Sequence, residues 1–421
     1  MKKDRLSAVS VAVLVAAAGP ALAQDVAELT IESWRNDDLL IWRNEILPAF
    51  NAAHPDINVT FAPTVSTQYN ASLNAKLDSG TAGDIITCRP FDLSLSMFQR
   101  GQLADLTDLD GMDNFSDLAK VAWSTDDGAS TFCVPMASVL HGFIYNKDAF
   151  AELGLEPPTT IDEFWAVADA IKEDGGYIPM TIGVADEWGT ASMGYQNIGP
   201  TYYKGEAGRK AVIEGTEKLT DEPWVEPYRV LARWADYLGP GYSAQSYADS
   251  QNMFTLGRAA MFPGGSWETA PFEGQGVDFE MGAFPPPRLS ADEPCYVTDH
   301  PDIALGMNAA TKHPEAVKTF LSWVASDEFA QIYATNLPGF FPLADADITV
   351  DNPLAQDFLA MRDECETTIR PFYQILSRGD QSLEELNKVV SAAVIAGTET
   401  PEGAAERMQT ALSDWYAPQQ D

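Results

Sequence analysis

The sequence predicts an α/β protein built on mostly parallel sheets. Three observations carry this: segments of strand and helix period alternate from Glu28 onward, no low-complexity linker interrupts them, and 421 residues suffice for two or three cores. The missing linker implies that separate α/β units are joined by several chain crossings instead of one tether.

The elements come in this order. Leu29-Thr30-Ile31 is a strand ending near Trp34, and Leu39 to Ala53 has helical apolar spacing through Leu40, Trp42, Ile46, Leu47 and Phe50. Ile57 to Phe61 alternates as a strand, Tyr69 to Leu77 is a helix stopped by Ser79-Gly80, and Asp84 to Cys88 is a compact apolar strand before a helix ending at Arg100. After an irregular acidic stretch, Phe132 to Pro135 and Gly142 to Asn146 read as two strands. Thr160-Ile161-Asp162-Glu163 is a capping box for a helix running to Lys172. Further helices are expected near Glu206–Leu219, Pro223–Leu238, Pro314–Ala325, Glu328–Asn336 and beyond Ser382. Trp42, Trp165, Trp234 and Trp323 fall on helical apolar faces and are expected in the core.

Composition narrows the function. Net charge is −36, which argues against nucleic acid and anionic membrane surfaces as partners. The acids are scattered, as solubility requires, although such a field also steers cations. Lys2, Lys3 and Arg5, the apolar run Val9 to Ala18 and Ala21-Leu22-Ala23 read as a signal peptide cleaved after Ala23, with export to the periplasm and no lipid-attachment cysteine at Gln24. No later apolar run is long enough to insert into a membrane. The cysteines Cys88, Cys133, Cys295 and Cys365 form no CxxC or CxxH, and there is no HExxH, so no metal or other cofactor is expected. Four cysteines allow three connectivities, and unpaired thiols stay open as well.

Six segments then carry a resemblance. They are ILPAFNAAHPDINVTF (46–61), NAKLDSGTAGDIITC (74–88), GQLADL (101–106), the long hinge-like CVPMASVLHGFIYNKDAFAELGLEPPTTIDEFWAVA (133–168), FTLGRAAMFPGGSWE (254–268) and HPDIALGMNAATKHPEAVKTFLSWVASDEFAQ (300–331). In this order, over nearly the whole chain after the leader, they resemble the family 1 sugar-binding proteins of ABC importers, the family of maltose-binding protein. The resemblance implies the two-lobed periplasmic binding protein fold, type II-like, each lobe a mostly parallel sheet flanked by helices. It implies lobe 1 over 24–138 and 299–337, lobe 2 over 139–298 and 338–421, and a hinge of about three crossings with ligand between the lobes. It further implies a monomer that carries a carbohydrate to a membrane permease and performs no chemistry. Within these lobes the pairs Cys88–Cys133 and Cys295–Cys365 would each join segments of one lobe.

A sugar offers C–H faces to flat aromatics and hydroxyls to carboxylates, amides and arginines. Trp267, with Gly265 and Ser266 before it, matches the family's stacking tryptophan; the alternative is a core indole under a glycine-rich turn. On the ligand reading, Trp267→Ala weakens binding and leaves the melting of the empty protein nearly unchanged. Trp34 at the end of the first strand, and Arg89 and Asp92 after the third, are candidate contacts, the last two also readable as a helix-capping pair. Cys88 stands where maltose-binding protein has an aromatic. His141 on the hinge strand, Glu187-Trp188 in a second-lobe loop, Asp299 before the return strand, Phe340 in a Gly…Pro loop, and Arg370 and Tyr373 in a Pro-containing segment complete the set. Two other readings stay in view: the same fold taking a polyamine, and a glycoside-acting enzyme using two carboxylates. No GxSxG or phosphate loop supports other chemistry.

Overall fold

The computed structural model describes residues 26–420. The segment read as a signal peptide lies outside them. Among the described residues no helix is long and apolar enough to cross a membrane.

The first expected units form as βαβ. Strand β1 (Ala27–Ser33) pairs in parallel with β2 (Ile57–Pro63) and with β3 (Ile85–Cys88). Between β1 and β2 the helix that spans Leu39–Ala53 carries a π turn at Trp42–Ile46, where the Trp42 indole lies flat on Phe61, centroids 4.7 Å apart. Trp42, Trp165, Trp234 and Trp323 are all buried.

The next strand departs from the sequence reading. Phe132–Pro135 and Gly142–Asn146 do not make two strands; one strand, β4, runs unbroken from Val134 to Asn146. The polar residues that interrupt the apolar pattern are buried with partners: Ser138 Oγ accepts from Arg362 Nη2 at 3.1 Å and His141 Nε2 from Arg370 Nε at 3.0 Å. Periodicity cannot see such partners, because they come from 224 and 229 residues away.

Four parallel or antiparallel neighbours follow: β5 (Ile178–Met180), β6 (Ala259–Gly265), β7 (Met281–Phe284) and β8 (Tyr296–Met307). Short strands β9 (Phe341–Pro342) and β10 (Glu366–Thr368) complete the set. The order is β2-β1-β3-β8-β4-β6-β5, with β7 and β9 also on β4 and β10 on β8. The flanks are parallel (β1 with β2 and β3, β5 with β6), whereas β8 and β4 enter antiparallel.

β4 is the strand common to both halves. Val134 to Leu140 pair with β8, and His141 to Tyr145 pair with β6. The change of partner between Leu140 and His141 opens a crevice, as switch points in α/β sheets do. Ser266 Oγ closes that corner by accepting Leu140 N–H at 3.0 Å. Two α/β lobes, with helices such as Ile161–Asp174, Glu222–Trp234, Pro314–Val324 and Leu383–Ile395 packed on them, meet along this line.

Disulfides tie the strands near their ends. Cys88 is bonded to Cys133 and Cys295 to Cys365. The first bridge passes over β8 where it carries Gly306; a Cβ there would lie 2.8 Å from Cys133 Sγ and 2.9 Å from Cys88 Sγ. The second joins the residues just before β8 and β10, whose parallel pairing starts at Tyr296 and Glu366.

Candidate ligand-binding site

At the switch point the side chains line a cavity of about 20 Å³. Its aromatic walls are Trp34, from the end of β1, and Trp188, Tyr247 and Trp267. The polar walls are Arg35, Asp37, Ser66, Arg89, Asp302 and Arg370.

Trp267 follows β6 through Gly264-Gly265-Ser266, and the space it needs explains the glycine. Gly265 is extended (φ −169°), a shape any residue adopts, but a Cβ there would lie 2.1 Å from the Trp267 ring and 2.6 Å from Leu140 O. The ring is 5% exposed and meets His141 edge-on at 5.0 Å. Trp188 packs edge-on against both Trp267 (6.1 Å) and Tyr247 (5.2 Å). The loop presenting Trp188 turns at Glu187, whose φ of 57° is left-handed and costs a non-glycine residue about 1–3 kcal/mol. Asp186 holds that loop to the helix Tyr247–Thr255 by accepting Tyr247 N–H at 2.5 Å.

Behind the rings, Glu268 is completely buried. Its carboxylate accepts from Trp267 Nε1 at 3.0 Å, from Tyr247 Oη, and from Gln251 Nε2 at 2.9 Å. Burial pushes its pKa up to about 7, opposed by the Tyr247 and Gln251 hydrogen bonds.

Three guanidiniums face the cavity with different degrees of neutralisation. Arg35 makes a two-pronged pair with Asp38 (2.6 and 2.7 Å) and lies over Phe340 at 4.8 Å. Burial raises the Asp38 carboxyl, and Arg35 counters it. Asp38→Asn, which strands Arg35 in the interior, is expected to cost about 3 kcal/mol or more of stability in a denaturant titration; an unchanged midpoint would show that Arg35 reaches solvent. Arg370 donates to His141 Nε2 at 3.0 Å and to Tyr373 Oη at 3.2 Å, and pairs with Asp302 at 3.4 Å. Burial, and then the Arg370 charge, push the pKa of His141 well down, so it stays neutral and can accept that bond. Arg89 stacks on Trp34 at 4.2 Å and donates to Asn70 at 3.0 Å.

Of the residues singled out in the sequence, Trp34, Arg89, Trp188, Trp267 and Arg370 meet in the cavity wall. Gly265, Ser266, His141 and Phe340 stand directly behind it. Glu187 and Tyr373 border an adjoining cavity of about 210 Å³ that shares Ser66, Arg89 and Trp188 with the first. Asp92 is elsewhere: it pairs with Arg378 at 2.7 Å on the rim of a third cavity of about 380 Å³. Asp299 also stays out of the wall, bound to Arg362 at 2.8 Å. Asp302 takes the place expected of it, since a shift of three residues along a strand reverses the face. Sequence reasoning missed Arg35, Asp37, Ser66, Tyr247 and Glu268. Arg35 and Asp37 were within reach as neighbours of Trp34; Tyr247 and Glu268 gave no signal, lying on a helix and after an already chosen tryptophan.

Two α/β lobes meeting at a crevice walled from both sides define a class, the hinged receptors for small solutes. The chain belongs to the bacterial extracellular solute-binding protein family, whose sequence profile matches residues 36–331. It is 25% identical over 256 residues to an uncharacterized ABC transporter extracellular-binding protein of Pyrococcus horikoshii, covering 59% of this chain and 55% of that relative's own length. It is 24% identical over 301 residues to the multiple sugar-binding protein of Streptococcus mutans, covering 69% of each. Solved structures with the same fold include a chitin oligosaccharide binding protein (TM-score 0.78, 19% identity, 93% of this chain and 99% of that one). The RafE binding protein in complex with raffinose is another (TM-score 0.76, 19% identity, 94% and 100%).

Proposed function

We propose that the protein is the periplasmic capture component of an ABC importer. It takes a carbohydrate, whether sugar, oligosaccharide, glycoside or polyol, into the cleft and presents it to the membrane permease on hinge closure. In this reading it is exported by the 1–23 leader, works as a monomer and performs no reaction on its ligand. Lobe 1 is assigned to 24–138 and 299–337, and lobe 2 to 139–298 and 338–421.

One observation carries the reading: Trp34 on one side and Trp188, Tyr247 and Trp267 on the other face a single space rimmed by guanidiniums and carboxylates. Flat rings suit pyranose faces and the ionic groups suit hydroxyls. The names of the relatives and fold neighbours, with multiple sugars, chitin oligosaccharide and raffinose, support the same class. About 20 Å³ is room for one water, far below the ~300 Å³ of a typical ligand pocket, so a sugar enters only when the walls part. A polyamine fits less well, because Arg89, held by the uncharged Asn70 and Trp34, would repel it. Of the carboxylates a glycosidase would need in this wall, Asp302 is occupied by Arg370.

The test is the melting temperature of the protein against mono-, di- and trisaccharides, polyols and polyamines. A ligand bound only by the folded state raises it by mass action, about 2.7 kcal/mol at a hundredfold excess over Kd. The expected result is a rise with one carbohydrate recovered intact. A rise with polyamines alone, or conversion of the sugar, would replace this reading.

A further inference from the structure

Glu268 stands behind the aromatic wall, and any role it has in binding rests on the cleft being the ligand site. Oε1 receives both the Trp267 indole N–H and the Tyr247 hydroxyl, while Oε2 receives the Gln251 amide. Among the described residues no other side chain is hydrogen-bonded to both rings. An indole can only donate, and an ionised carboxylate can only accept, so the arrangement is matched in the ionised form. Trp188, which packs edge-on against both rings, depends on their angles in turn.

We propose that Glu268 is a positioning residue of the ligand site, holding Trp267 and Tyr247 at the angles at which they wall the cavity. The groups that face it are few. Tyr247 and Gln251 come from helix Tyr247–Thr255, Trp267 is its own neighbour, and Arg35 and Asp37 approach from the segment after β1. Asp37 raises the cost of its charge and Arg35 lowers it, both less than burial does. Taking up a proton turns one carboxylate oxygen from acceptor to donor, so one of the three hydrogen bonds must reverse or break; the Tyr247 hydroxyl and the Gln251 amide can turn round to accept, the Trp267 indole cannot. The aromatic wall is therefore tied to a titration in the neutral range.

The experiment follows the Trp267 indole N–H resonance of the protein without ligand, assigned by its loss in Trp267→Phe. From about pH 5 to about pH 9 it is expected to shift with one inflection near 7, and Trp188–Trp267 ring cross-peaks should weaken on the acid side. In Glu268→Gln the inflection should vanish and the cross-peaks stay weak throughout. Tyr247→Phe removes one donor from the carboxylate and should move the inflection up by about half a pH unit or more, which keeps the test decisive if Glu268→Gln does not fold. A resonance flat over the whole range, an inflection unmoved by Tyr247→Phe, or undiminished cross-peaks in Glu268→Gln would overturn the proposal. Because no ligand is added, failure to bind any carbohydrate would sink the receptor reading and leave this result standing.

Discussion

Trp267→Ala is expected to lower carbohydrate affinity by about 30-fold or more, near 2 kcal/mol, as loss of a buried aromatic anchor does. Calorimetric titration with the sugar found in the melting screen measures it. The tertiary structure changes the second half of the sequence-based expectation, which had the empty protein unaffected. Trp267 is 5% exposed, its edge meets His141 and its N–H is taken by Glu268. Truncation leaves a cavity and a carboxylate short of a donor, so stability should fall by about 3 kcal/mol as well. Trp267→Phe separates the two effects: it keeps most of the ring area and loses the Glu268 bond. An alanine variant binding sugar like the parent would remove the ring from the site.

Breaking the disulfides is the other large effect. Cys88–Cys133 closes a loop of 45 residues and Cys295–Cys365 one of 70, for which restriction of the unfolded chain predicts about 4 kcal/mol each. The melting temperature should therefore drop strongly in reductant, and the paired serine replacements should reproduce the drop one bridge at a time. The first pair lies beside β3 and β4, which lead into the cleft, so its loss should also weaken ligand binding. Equal melting with and without reductant would mean that the bridges contribute little.

The parts of the fold that were legible in the sequence are those decided locally. β1 to β3 and their helices follow from apolar period, and Thr160 makes its capping box with Glu163 as the Thr-x-x-Glu pattern requires. The strand ends named as candidate sites converge because a βαβ sheet brings its carboxyl ends to one crevice. That is why Trp34, Arg89 and Trp267, 55 to 233 positions apart, could be picked out together.

What the sequence by itself determined, then, was the α/β class, the family resemblance and most of the aromatic wall, since these rest on period, order and residue type. Tertiary structure alone decided that β4 is one strand, that Asp302 and not Asp299 meets Arg370, that Asp92 serves Arg378, and that Glu268 holds two of the cavity rings. Each of these depends on a polar group finding a partner far along the chain, from 21 residues for Tyr247 and Glu268 to 286 for Asp92 and Arg378. Burial makes such partners obligatory, but no local pattern records which one will be met.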